Sequence, residues 1–187
     1  LHESAVAPVR ERQIPLHIRS TFAPDAPGTR IGFDAPASLS ASGVIGFAGR
    51  RPVSMLRVIF PENTEETALW EVRACLNEHR IETFHSACGV EGLCLLLSSG
   101  AEADALHAAA EQLRERFPDA KVKLRENLAV LLALCRSTKD IPKLSAAIEA
   151  SGAPVHHLVQ TPPGAMFCVN DSQYEQALRA AYGAAFA

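Results

Sequence analysis

The sequence predicts an α+β fold of two ferredoxin-like βαββαβ modules packed side by side. Three observations carry that expectation. The order strand–helix–strand–strand–helix occurs twice after residue 43. Phe60 and Leu134, Ile81 and Val155, and Leu93 and Phe167 stand in corresponding strands, each pair 74 residues apart. Each repeat, about 60 residues long, is too small to bury much surface alone, so it needs a neighbour.

Residues 1–43 read differently from the rest. Pro8, Pro15, Pro24, Pro27 and Pro36 punctuate them, with Gly28, Gly32 and Gly43. Only 14–21 alternates like a strand, 24–28 is turn chemistry, and 35–43 reads as a linker. Regular order begins at Val44. Residues 44–47 form a short strand, and 53–60 form a longer one ended by Pro61. Asn63, three residues before Glu66, opens a helix as a capping box, and Leu69, Val72 and Leu76 give it an apolar face. Trp70 beside that face is expected to pack in a core or an interface. Strands follow at 81–87 and 93–97. The next helix carries Leu106, Ala110, Leu113 and Phe117 inward and stops at Pro118.

The second repeat opens at 121–125, where Val122 and Leu124 alternate with charge, and continues through the apolar run 128–134. Ile141, Leu144 and Ile148 line a helix beginning at Asp140. Strands at 155–159 and 165–169 flank the Pro162-Pro163-Gly164 turn. A final helix opens with Ser172 and Glu175 in capping-box spacing and turns Tyr174, Leu178, Ala181 and Ala185 inward.

Composition excludes several classes. With 18 Lys and Arg against 21 Asp and Glu, the net charge of −3 offers no concentrated basic segment for nucleic acid. No apolar run approaches the roughly 20 residues a membrane helix needs. A cytoplasmic protein is expected. Its five cysteines show no CxxC and sit among apolar neighbours, so they are expected to be buried and reduced. His156 and His157 are adjacent, so in a strand they face opposite ways and cannot share a metal. No nucleophilic triad, carboxylate pair or phosphate loop occurs, so this chain alone is expected to lack catalysis and to carry no cofactor. It does not begin with Met, which fits a processed chain or a piece of a longer one.

The segment Ile14-Pro-Leu-His-Ile-Arg-Ser-Thr-Phe-Ala-Pro-Asp-Ala-Pro-Gly-Thr-Arg-Ile31 resembles the end of the catalytic domain of aspartate kinases, as do Leu1-His2 and Pro8. The closing helix, with Ala177-Leu178-Arg179 before an aromatic end, resembles the family's last segment. The resemblance implies that 1–43 is the tail of an amino-acid kinase domain plus linker. It also implies two ACT modules, 44–118 and 119–187, with one module inserted into the other so that the strand at 44–48 can join the second sheet. The parent would phosphorylate the aspartate β-carboxylate with ATP and Mg, on the way to lysine, threonine and methionine. The implied partners are a second copy of the chain, its own kinase domain and an amino-acid effector, lysine or threonine.

An amino-acid effector presents a carboxylate, which suits a helix start, and an ammonium, which suits acids or carbonyls. In the first module Glu62, Asn63, Thr64 and Glu65 stand at a helix start, with His85 and Ser86 on the following strand. In the second, Ser137, Thr138 and Asp140 occupy the equivalent loop. Acids and hydroxyls also favour helix starts through the macrodipole alone. The family's Gly- or Met-bearing loop is replaced here by Pro61-Glu-Asn-Thr64. Two rival readings therefore stand beside the sensor: a dimerising scaffold that has lost its effector, and the regulatory part of a kinase fused to another enzyme.

Overall fold

In the computed structural model, the described residues are 3–32, 43–61, 67–89, 92–98, 100, 102–161 and 164–186. The chain divides into two compact units, Leu1–Ala41 and Ser42–Ala187.

The first unit holds helix α1 (Glu3–Glu11) and two short antiparallel strands, β1 (Leu16–Ile18) and β2 (Thr29–Ile31). The Arg19 guanidinium donates to the Pro24 and Ala26 carbonyls and so closes the loop between the strands. Gly28 completes it at φ +66, where a Cβ would sit on the Ile18 carbonyl oxygen. The expected strand is thus confined to three residues. Helix α1 was not expected, because Pro8 reads as punctuation; it stands inside the helix, which forgoes the bond that a backbone N–H there would have made.

The second unit is a six-stranded antiparallel sheet in the order β4-β5-β3-β6-β8-β7, with four helices. Its centre is two long strands, β3 (Val44–Ile59) and β6 (Lys121–Cys135). Helices α2 (Thr67–Glu78) and α3 (Ala103–Arg116), with strands β4 (Thr83–Gly89) and β5 (Gly92–Leu97), complete one wing. Helices α4 (Ile141–Ala150) and α5 (Tyr174–Phe186), with β7 (His157–Thr161) and β8 (Gly164–Asn170), complete the other. The first wing reads βαββαβ in chain order; the second has β6-α4-β7-β8-α5 and takes its remaining strand from the start of β3.

The long strands are shared between the wings. Lys121 to Arg125 pair with Ile59 to Met55 and close the first wing's sheet, although in chain order they open the second repeat. Gly46 to Arg50 pair with Leu134 to Val130 and close the second wing's sheet. The two strands expected at 44–47 and 53–60 are one strand, bent by register shifts between Arg50 and Met55. Residue by residue the ladder has an approximate two-fold: Met55↔Arg125 corresponds to Val130↔Arg50, and Ile59↔Lys121 to Leu134↔Gly46. The repeat offset along these strands is therefore 75 residues, not 74.

Helices α2 to α5 pack on one face of the sheet. Leu56, Val58, Leu93, Leu95 and Leu97 meet Val72, Leu76, Leu106 and Leu113 in the first wing. Leu131, Ala133, Ala165 and Phe167 meet Ile141, Leu144, Ile148 and Ala181 in the second. Alanines at 177, 181 and 185 let α5 lie close to the strands. Phe117 is partly buried and stacks edge-on against Phe60, with centroids 5.3 Å apart. Trp70 is 68 % exposed, so it belongs to no core; it lies on the α2 flank turned away from the sheet.

The helix-free face is also a core. Val53, Met55, Cys94, Leu96, Leu128, Val130 and Cys168 are buried there, against Phe84, Ala87 and Met166. Strands β4 and β7 are five strand spacings apart, roughly 24 Å in a flat sheet. Yet Ala87, Cys88 and Gly89 on β4 and His157 on β7 line one cleft, so the wings curl over this face.

Candidate functional site

Of the expected effector positions, Glu62, Asn63, Thr64 and Glu65 lie outside the described residues. The others fall in two separate places. Ser137, Thr138 and Asp140 form a 3-10 turn leading into α4. Ser137 caps that turn, accepting from the Lys139 amide at 3.3 Å. Asp140 makes no cap bond; its carboxylate lies where a Cβ on Gly43 would have to go. The Arg136 amide donates to the Gly43 carbonyl at 2.7 Å, which pins this loop to the start of β3.

The first-module loop leaves at Pro61, beyond the opposite end of the long strands. At about 3.3 Å per residue, β6 spans roughly 45 Å between its end beside Ile59 and its end beside Val44.

His85 and Ser86 are neighbours on β4 and face opposite ways. Ser86 points to the helix side, where its hydroxyl accepts from Arg73 on α2 at 2.7 Å. The Arg73 Nε–H beside it is buried and has no partner among the described residues. A guanidinium with one arm satisfied and one inward N–H unpaired suits a carboxylate. Arg73 was missed in the sequence because it flanks the apolar stripe of its helix like any solvated charge.

His85 points to the helix-free face. It sits opposite Leu96, which pairs with Met55; His157 sits opposite Cys168, which pairs with Val130. The two histidines are thus two-fold equivalents, 72 residues apart. Burial pushes both rings below the ordinary histidine value, and Arg57 and then His85 add to the effect at His157. Both Nε2 atoms are buried without a partner among the described residues.

His156 is engaged elsewhere, with Asn170 at 2.8 Å and as acceptor from Arg125 at 2.5 Å. Cys75, Cys94, Cys135 and Cys168 are buried and free, as expected, but Cys88 is exposed near the end of β4. No cluster of three metal-binding side chains occurs among the described residues. Nor is any helix among them long and apolar enough to cross a membrane.

No family model and no curated protein matches the chain. Solved structures do. An aspartate kinase from Clostridium acetobutylicum, described as an allosteric enzyme, superposes with TM-score 0.83 at 21 % identity, over 98 % of this chain and 44 % of that one. Escherichia coli aspartokinase III, in complex with lysine and aspartate, gives 0.72 at 18 %, over 100 % and 42 %. The regulatory subunit of aspartate kinase from Thermus flavus gives 0.63 at 19 %, over 76 % and 98 %. The chain therefore spans less than half the length of the whole kinases it matches, and nearly all of the regulatory subunit. In fold, this chain is built like the regulatory region of aspartate kinases.

Proposed function

We propose that this chain is the effector-sensing and dimerising region of an aspartate kinase. The observation that carries the reading is the interlocked pair of βαββαβ units, which aligns along nearly the whole of a regulatory subunit. On this reading the parent kinase works in the cytoplasm, uses ATP and Mg to phosphorylate the aspartate β-carboxylate, and stands in lysine, threonine and methionine synthesis. The chain's partners are its own kinase domain and a second copy of itself. An effector acts by binding one arrangement of the kinase better than another, since equal affinity would shift nothing.

The effector, lysine or threonine, sits in this proposal at the start of α2. Its carboxylate meets Asn63 and Thr64 and reaches the inward N–H of Arg73 beside Ser86; its ammonium meets Glu62 or Glu65. His85 faces the other side of the sheet and is assigned no contact there. The second-module loop, with Ser137, Thr138 and Asp140, is the weaker candidate, because Ser137 already caps its own turn.

That local use of Ser137 favours the scaffold reading for the second module. Thermal unfolding with lysine or threonine decides between the readings. A ligand at 100 times its Kd adds about 2.7 kcal/mol. Stabilisation lost in Arg73→Gln, with the unliganded midpoint unchanged, supports the sensor; no shift with either amino acid leaves the scaffold.

A further inference from the structure

The first wing's helix-free face carries a charge pattern at odds with the acidic chain. Val122 and Leu124 pack toward the helices. Lys121, Lys123 and Arg125, alternating with them, therefore point the other way. So does Arg57, whose neighbours Leu56 and Val58 also face the helices. Arg57 and Lys123 are direct cross-strand partners. Like charges in that position repel, with Cβ atoms only about 5 Å apart. Arg125 is held by His156. Arg57, Lys121 and Lys123 have no ion-pair partner among the described residues.

Beside this row a cleft of about 220 Å³ opens between the β4–β5 end and β7. Arg57 and His157 line its polar side, and Ala87, Leu93 and Cys94 its apolar side. The His157 Nε2 is buried there without a partner among the described residues. An exposed cation pair on adjacent strands, a third cation next to it and an unpartnered ring nitrogen offer concentrated positive charge and a donor to one acceptor. Buried donors without acceptors are rare in folded proteins and carry a cost.

We propose that this face binds a small oxyanion of charge −2 or more, a metabolite bearing phosphate or carboxylate groups. The anion bridges Arg57 and Lys123, one of its oxygens accepts from His157 Nε2, and an apolar portion lies against Ala87 and Cys94. The site is on the opposite face of the sheet from the effector position at α2, and does not depend on it.

Calorimetric titration of the 187-residue chain with inorganic pyrophosphate and with succinate, at fixed ionic strength, tests the site and separates the two anion types. Binding of at least one is expected, weakened tenfold or more by Lys123→Gln and by Arg57→Gln. Lys143→Gln, on the exposed side of α4, should leave it unchanged. Melting gives a second reading. Without anion, Lys123→Gln should melt at or above the parent, because a repulsion has gone; with saturating anion the order should reverse. No heat with either probe, or equal weakening by Lys143→Gln, overturns the proposal. So does a Lys123→Gln protein that melts lower without anion.

Discussion

Replacing Leu96 by Ala tests whether the helix-free face is a true second core. Leu96 is 0 % exposed and lies on β5, between β3 and β4. Its side chain meets only strand residues, among them Met55 and Cys94, each fixed by ladder bonds on two sides. A helix could settle into the space left behind, but none of α2 to α5 packs on this face. The cavity should therefore stay open, and the cost should fall near the middle of the range for buried leucines, about 3–4 kcal/mol. In a chain of this size that lowers Tm by roughly 10 °C. Urea unfolding should show a lower midpoint with an unchanged slope. Leu158→Ala on the edge strand β7, where Leu158 is 38 % exposed, serves as the reference and should cost about 1 kcal/mol or less. If the two substitutions cost the same, or Leu96→Ala costs under 1 kcal/mol, the face is loosely covered and the curled sheet is wrong.

Gly164→Ala should cost more than about 2 kcal/mol in the same assay, because the new Cβ would occupy the Ala133 carbonyl position in the paired strand. Acid should weaken the fold below about pH 6.5. His85 and His157 titrate low when folded, so the unfolded chain takes up protons first, and the stability present above the ordinary value is lost as pH falls. His85→Gln with His157→Gln should flatten that limb of the stability–pH curve. Alkali acts through Cys168, which burial and then neighbouring Cys94 push up to about 12, against the pull of Arg125. Stability is full below the ordinary thiol value and declines as pH rises through about 12; Cys168→Ala should remove that decline in denaturant titrations at pH 9–11. Asp171→Ala breaks the 2.9 Å pair with Arg51. Since both side chains are partly exposed, the cost should be only about 0.5–1 kcal/mol by chemical unfolding.

Local pattern made the helices and most strands legible. Leu106, Ala110 and Leu113, or Ile141, Leu144 and Ile148, declare a buried stripe at helical spacing, and the structure buries all of them. What stayed hidden was the continuity of β3 and β6. Arg51-Pro52 and Glu126-Asn127 look like breaks, and the pairing that carries each strand past them comes from residues about 75 positions away. The histidine pair was hidden for a related reason. The offset changes from 75 in the long strands to 72 in the outer ones, so His85 and His157 fall out of the 74-residue register. Arg57 and Lys123 each look like the solvated half of an alternating strand; only the register sets them face to face.

The shared strands also set a timetable for synthesis. Val44 pairs with the strand ending at Cys135, 91 residues further along the chain. At roughly 5–20 residues per second, the ribosome takes about 5–20 s to deliver that partner. For that time the emerging segment at 44–50, with Val44, Ile45 and Phe47, offers an unpaired apolar edge to any neighbouring chain. Two polysomal copies could exchange this segment before either finds its own β6. The yield of correctly paired protein should therefore depend on how quickly the region from 121 to 135 is translated.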